Sequence, residues 1–237
     1  MKVIGIIPSR YGSTRFPGKP LADILNKSLI QRVYEQCIKS NKLDDLIVAT
    51  DDYRIYNHVL DFKGRVIMTS ETHQTGTERC NEVAKRLNEE FDIIINIQGD
   101  EPLINPLQID EVIRLFEDPK TQIATLAKKI DDRKIINDEN HPKAIFNKEG
   151  DALNFCRKIS NISTEKTYYQ HIGIYAYKKD ILTEICQLSQ SKNEMRESLE
   201  QLRWLDNNYI IKVGITNFQT LSVDTPEDIE KIKAQIR

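Results

Sequence analysis

"VIGIIPSRYGSTRFPGKPL", residues 3–21, is the stretch from which the fold can be read. Val3-Ile4-Gly5-Ile6-Ile7 is a continuous apolar run, as expected for a strand covered on both faces. Pro8 to Leu21 then brings three permanent cations, Arg10, Arg15 and Lys19, with two glycines and three prolines. A strand-to-helix connection normally takes only a few residues, and long loops in compact domains are usually functional. The bland alternative is a solvated basic loop. The functional reading is a phosphate cradle, in which glycines let the backbone approach an anion while Arg and Lys supply charge. The spacing is not that of a P-loop. Gly12 to Gly18 is one residue too long, and Pro20 stands where the metal-binding hydroxyl would be. A dinucleotide-binding GxGxxG is also absent.

Beyond this loop, helical and strand-like segments alternate. Leu29, Ile30, Val33, Tyr34, Cys37 and Ile38 recur at helical spacing over residues 28–40. "LIVATD" (46–51) reads as a strand, Ile55, Val59 and Phe62 as a helix, and "RVIMTS" (65–70) as a strand. "ETHQTGTER" is a polar loop leading to a helix over 78–87, and "FDIIINIQ" (91–98) is the most apolar strand. Asn105 and Pro106 suit the N-cap and first turn of a helix through Phe116. This order predicts a doubly wound, mostly parallel sheet that binds ligands at the carboxyl ends of its strands. In the second half, residues 144–158 read as a hairpin and "YYQHIGIYAY" as a strand. Helices are expected near 180–188 and over 194–205, then strands "IIKVGIT" and "TLSVD", then a helix from Pro226. The expectation is a single domain over 1–237: a first half (1–130), an insertion (131–215), and a closing strand end and helix (216–237).

Composition narrows the class. The chain has 237 residues, with Lys+Arg 34 against Asp+Glu 36 and a net charge of −2. Such balance argues against a general nucleic-acid or membrane-surface binder. The four cysteines form no CxxC pair and no tight Cys/His ligand spacing, as expected of reduced thiols. The N-terminus reads as a core strand rather than a signal peptide, and no stretch is long and apolar enough to span a bilayer. A soluble, cytoplasmic protein is expected.

Several further residues carry possible chemistry. Gln98 and Asp100 share a face if their strand continues, though Asp100 could simply serve the turn. Asp224 precedes a helix whose cap, Thr225, and capping-box residue, Asp228, are already supplied. Two strand-end carboxylates beside a phosphate loop would suit Mg²⁺ shared with substrate phosphates. Sequence alone does not show that the two meet. His171, Gly173 and Tyr175 share a strand face and fit either a polyol pocket or a half-buried polar pair. Glu200 and Gln201 read as a solvated helix face, and Arg79 and Arg157 as ordinary arginines. His58, His73 and His141 carry no pattern and are assigned no role.

Together the segments "IIPSRYGSTRFPGKPL", "IVATDD", "TGTERCNEV", "NIQGDEPLI", "HIGIYAY", "ESLEQLRWL" and "VDTPEDIEKI" resemble the 3-deoxy-manno-octulosonate (KDO) cytidylyltransferases, in family order and over nearly the whole chain. The resemblance implies a GT-A-like nucleotidyltransferase fold, usually a cytoplasmic homodimer with its interface in the inserted part. The implied activity is transfer of CMP from CTP to KDO for lipopolysaccharide synthesis. It implies that Pro8, Arg10, Ser13, Arg15, Lys19, Thr75 and Gly76 hold CTP, with Arg10 and Lys19 neutralising its phosphates. Asp100 and Asp224 match the family's Mg²⁺ ligands. Arg79, Gln98, Arg157, His171, Tyr175, Glu200 and Gln201 match positions lining the KDO pocket. One segment departs from the family: "KISNISTEKTYYQHIG" is shorter than in relatives and lacks their Ile-Pro-aromatic sequence.

Overall fold

The computed structural model describes residues 1–12, 15–163 and 165–236. Ser13, one of the expected nucleotide contacts, lies outside the described residues. The chain divides into two compact units, Met1–Asp110 with Gln219–Arg237, and Glu111–Phe218.

The first unit begins with β1 (Val3–Ser9), the basic loop, and a short 3-10 turn over Lys19–Leu21. A small hairpin follows, β2 (Asp23–Ile24) and β3 (Lys27–Ser28). Its turn residues Leu25 and Asn26 both have positive φ, 51° and 63°, as a two-residue hairpin turn demands. Then come α1 (Leu29–Cys37), β4 (Asp45–Thr50), α2 (Tyr53–Asp61), β5 (Val66–Met68), α3 (Gly76–Arg86), β6 (Ile93–Asn96) and α4 (Pro106–Arg114). The strands are parallel in the order β6-β1-β4-β5. Val3 pairs with Ile93, Ile4 with Asp45, and Val48 with Val66. Every residue of β6, and of β4 after Asp45, is buried, which explains the continuous apolar runs.

Polar residues set the helix starts. Ser28, Asp52 and Thr75 accept from the backbone N–H groups of Gln31, Arg54 and Glu78. Asn105 caps α4 by accepting from Leu107 N–H at 3.0 Å. β6 stops at Asn96, short of the expected strand, so Gln98 and Asp100 stand in the loop beyond it and not on a common strand face.

The second unit contains β7 (Ile123–Lys129), α5 (Arg133–Asn137), β8 (Lys143–Phe146), β9 (Ala152–Cys156), β10 (Tyr169–Lys178), α6 (Lys179–Ile185), α7 (Lys192–Glu197), α8 (Gln201–Asp206) and β11 (Ile211–Thr216). β11 runs parallel to β7, and β7 antiparallel to β10. The expected hairpin is present as β8 and β9. The single helix expected over 194–205 is instead two, because Ser198 adopts a left-handed backbone (φ 53°) that ends α7. That break turns Gln201 inward to 4% exposure, overturning its reading as a solvated residue. Tyr175, Tyr177 and Trp204 form an aromatic core with edge-on contacts of 5.2 and 5.5 Å to the indole.

The chain returns to the first unit and ends in α9 (Pro226–Ile236). "TLSVD" forms no strand. Its apolar residues pack with Ile24, Leu29, Ile229 and Ile232, and Val223 donates one backbone hydrogen bond to the Asp100 carbonyl at 2.9 Å. Asp228 closes the start of α9 by accepting from Asp224 and Thr225 N–H at 3.1 and 3.0 Å.

α7 and α8 are joined by a buried ion pair, Arg203 Nε and Nη2 on Glu194 Oε2 and Oε1 at 2.8 and 2.5 Å. Glu194→Ala strands a buried guanidinium and is expected to lower stability by about 3–5 kcal/mol, read from the urea unfolding midpoint.

Candidate active site

The basic loop is shaped by contacts among its own residues. Gly18 has φ 72° and donates to the Tyr11 carbonyl at 2.9 Å, and a Cβ there would meet the Tyr11 ring at 3.0 Å. The Tyr11 ring also carries the Arg54 guanidinium, 3.3 Å from its centroid. Arg54 is itself held by both oxygens of Asp52. The loop after β6 approaches just as closely, since a Cβ at Gly99 would lie 2.8 Å from the Pro8 carbonyl.

These loops enclose a cavity of about 300 Å³ beyond the ends of β1 and β6. Arg10, Arg15 and Lys19 form a cationic wall, with Pro8 beside them. The start of α3 brings His73, Gln74, Thr75, Gly76 and Arg79. Gln98, Asp100 and Asp224 complete the lining. Ten of the expected residues, drawn from four separate segments, therefore share one cavity.

Its charges are tightly coupled. Lys19 Nζ lies 2.7 Å from Asp100 Oδ2, 2.7 Å from the Val223 carbonyl and 3.8 Å from Asp224 Oδ1. Arg15 Nη2 donates to Asp224 Oδ1 at 2.8 Å. The two carboxylates thus converge on one ammonium group. Hard oxygen donors that already share a cation fit a divalent ion whose remaining sites are filled by phosphate and water. Among the described residues no group of three or more His, Cys, Asp or Glu is placed to hold a metal. A metal held here would therefore take further donors from its ligand.

Arg79 is buried. It donates to Asp51 Oδ2 at 2.6 Å, to Thr69 Oγ1 at 2.5 Å and to the Ser70 carbonyl at 3.3 Å. It reaches the cavity as one half of an ion pair, not as a free cation. Glu101, beside Asp100, is also buried. Burial, reinforced by the Asp100 charge, pushes its carboxyl up to about 8 against a hydrogen bond with Thr220.

The remaining expected residues lie in the second unit. His171 Nε2 is 3.0 Å from Thr125 Oγ1, and its ring packs on Phe155 and Tyr175 at 5.1 and 5.3 Å. The Thr125 proton is directed at the Ile172 and Ile174 carbonyls, so the hydroxyl oxygen accepts from Nε2–H. Burial pushes the His171 pKa down to about 3, so the ring is neutral and Nδ1 is an acceptor. Tyr175 stays protonated, because burial and the nearby Glu200 charge both raise its pKa. The Tyr175 hydroxyl and Gln201 Nε2 are buried without a hydrogen-bond partner among the described residues. Each is thus a donor available to a ligand. Arg157 donates to the carbonyls of Glu197, Glu139 and Ser198 at 2.7, 2.9 and 3.2 Å, bracing the turn between α7 and α8.

Sequence reasoning missed Ser9, His73 and Gln74, which also line the first unit's cavity. The only available signal was position: Ser9 ends the first strand, and the other two precede "TGTER".

Parallel strands with a strand-end cavity lined by a basic loop and paired carboxylates define a nucleotidyltransferase-type α/β protein. Residues 4–231 match the family model described as cytidylyltransferase, and the chain belongs to that family. Within it the chain groups with the 3-deoxy-manno-octulosonate cytidylyltransferases. It is 51% identical to the enzyme of that name from Parabacteroides distasonis (99% of this chain, 98% of the relative). It is 50% identical to the one from Bacteroides thetaiotaomicron (97% and 96%). Among solved structures, CMP:2-keto-3-deoxy-manno-octonic acid synthetase complexed with CTP superposes with a TM-score of 0.95 at 39% identity, covering 100% of this chain and 98% of that one. A 4-diphosphocytidyl-2C-methyl-D-erythritol synthase from Anaerococcus prevotii shares the fold at 13% identity, with a TM-score of 0.66 and coverage of 99% and 98%.

The state of Glu101 has a measurable consequence. Its folded pKa of about 8 lies above the ordinary 4.5, so below pH 4.5 both folded and unfolded forms hold the proton. As pH rises from 4.5 to about 8 the unfolded chain releases a proton that the folded chain keeps, and stability falls. Unfolding measured without metal should show this loss across the window, and Glu101→Gln should flatten it.

Proposed function

We infer that this chain transfers CMP from CTP to the anomeric hydroxyl of KDO, giving CMP-KDO and pyrophosphate for lipopolysaccharide synthesis. The observation that carries the chemistry is the convergence of Asp100 and Asp224 on Lys19 in a cavity walled by Arg10 and Arg15. The similarity along the whole chain to enzymes named for this sugar acid supports the choice of acceptor.

In this reading the C2 hydroxyl oxygen of KDO attacks the α-phosphorus of CTP. An O–P bond forms, the α–β anhydride bond breaks, and pyrophosphate leaves with the bonding electrons while the hydroxyl proton passes to water. Arg10, Arg15 and Lys19 hold the triphosphate and neutralise charge that builds on it, with Pro8, Ser13, Thr75 and Gly76 completing the nucleotide site. Asp100 and Asp224 would hold Mg²⁺. When bound, this ion would lower the pKa of the attacking hydroxyl and neutralise the pyrophosphate. Lys19 and Arg15 exchange their carboxylate partners for phosphate oxygens as the nucleotide enters. In the first unit Arg79 and Gln98, and in the second His171, Tyr175, Glu200 and Gln201, are the candidate contacts for the sugar acid, while Arg157 braces the turn between α7 and α8. The neutral His171 ring offers an acceptor, and the Tyr175 hydroxyl and Gln201 amide offer donors, suited to a polyol. A cytoplasmic homodimer fits the family resemblance. Among the described residues no helix is long and apolar enough to cross a membrane, and the hairpin exposes Ile145 and Leu153.

Turnover should appear as pyrophosphate release from CTP with KDO, be abolished by EDTA and return with Mg²⁺. Asp100→Asn and Asp224→Asn should each lower kcat about 100-fold or more, the scale of losing one charge-stabilising group. Activity with a different 2-keto sugar acid and none with KDO would overturn the substrate assignment, and unchanged turnover in Asp100→Asn would overturn the metal assignment.

A further inference from the structure

β10 does not run evenly beside β7. Ala127 and Leu126 stand opposite His171 and Ile172, but the next residue of β7, Thr125, stands opposite Tyr175. Gly173 and Ile174 are therefore extra residues with no counterpart on β7, a bulge of the kind that bends a strand and re-aims its side chains. In an unbroken strand, residues four apart lie about 13 Å from one another along the chain. Here the His171 and Tyr175 rings pack with centroids 5.3 Å apart. The slip keeps both on one face, opposite Ala127 and Thr125, and draws their rings into contact.

One hydroxyl closes this bulge. Thr125 is fully buried, and its Oγ1 lies 3.1 Å from the Ile172 carbonyl, 2.8 Å from the Ile174 carbonyl and 3.0 Å from His171 Nε2. A hydroxyl has one proton to donate and two lone pairs with which to accept. Were the proton spent on the imidazole, two carbonyl oxygens would face the hydroxyl oxygen with no hydrogen between them. The proton therefore serves the carbonyls, and Nε2 carries the hydrogen that Oγ1 accepts. The ring otherwise packs on Phe155 and Tyr175, and burial pushes its pKa down to about 3, so it holds no second proton at neutral pH. Nδ1 is left as an acceptor on the same face as Tyr175, whose buried hydroxyl has no hydrogen-bond partner among the described residues.

We propose that Thr125 is a positioning residue for sugar-acid binding: by pinning the β10 bulge it fixes the His171 tautomer and sets a ring acceptor and a phenol donor together for the hydroxyls of the ligand. The ligand in this statement rests on the proposed function; the bulge and the tautomer do not. Valine would nearly match the shape of Thr125, but it would leave Nε2–H buried without an acceptor and release the two carbonyls from their shared donor. Serine keeps the hydroxyl and can take its place.

The tautomer is measured without substrate, from long-range ¹H–¹⁵N correlations of the imidazoles at neutral pH, the His171 signals being those absent from His171→Gln. Wild type should carry the proton on Nε2 alone, and in Thr125→Val the Nδ1–H form should appear. Kinetics are then compared in variants whose folding is checked by circular dichroism. Thr125→Val should raise KM for KDO about tenfold, the scale of one misdirected hydrogen bond, with KM for CTP and kcat little changed. Thr125→Ser should restore both the tautomer and KM for KDO. A role in folding alone would lower the unfolding midpoint but leave the ratio of the two KM values unchanged. That outcome, an Nδ1–H ring in wild type, or a serine variant no better than valine, overturns the inference. Should Thr125→Val not fold, Thr125→Ser carries the test, because a folded serine variant that loses the Nε2–H tautomer or raises KM for KDO overturns it equally. A wild type that does not turn over KDO overturns the substrate reading, while the spectra still decide whether Thr125 sets the ring.

Discussion

The Lys19 ammonium group is the point on which the first unit's cavity depends. It touches Asp100 and the Val223 carbonyl and lies close to Asp224, so it joins the loop after β1, the loop after β6 and the segment before α9. Two carboxylates brought this close would repel without a cation between them. The backbone hydrogen bond from Val223 to Asp100 fixes the same two segments from below. A side chain and a backbone link together hold in register residues that lie more than a hundred positions apart in the chain. The same arrangement prepares for exchange: the ammonium and the Arg15 guanidinium are paired before an anionic ligand arrives, and each can pass from carboxylate to phosphate without being left bare in a partly buried site.

The second unit offers a different kind of polarity. Its groups are neutral hydrogen-bonding partners set among aromatic rings: a deprotonated His171, a protonated Tyr175 and the Gln201 amide. Burial fixes these protonation states, so the groups do not change character across the neutral range. In the proposed reading, charge in the first unit suits a polyphosphate, and the fixed donors and acceptors of the second suit a polyhydroxy acid.

Much of this was legible in the sequence. Continuous apolar runs marked β1, β4 and β6 because parallel strands covered on both faces leave no polar alternation. Asn105 and Thr225 marked helix starts, each standing directly before the proline that opens a helix. The failures share one cause, which is geometry that composition does not encode. The α7–α8 break depends on a single left-handed residue, Ser198, and a serine carries no mark of that conformation. Gln201 was misjudged for the same reason, since helical periodicity was carried across the break. "TLSVD" is apolar because it packs on a core cluster, and apolarity alone resembled a strand. The meeting of Asp100 with Asp224 is set by tertiary structure and leaves no local trace. Whole-chain resemblance supplied the sugar-acid positions that residue patterns left ambiguous.

Gly99 and Pro8 touch so closely that no side-chain atom fits between them. The loop bearing Asp100 is thus seated directly on the end of β1, from which the loop bearing the cations departs. The start of α3 reaches the same proline, because a Cβ at Gly76 would lie 3.3 Å from Pro8 Cγ, so Pro8 is the common seat of three segments that line the cavity.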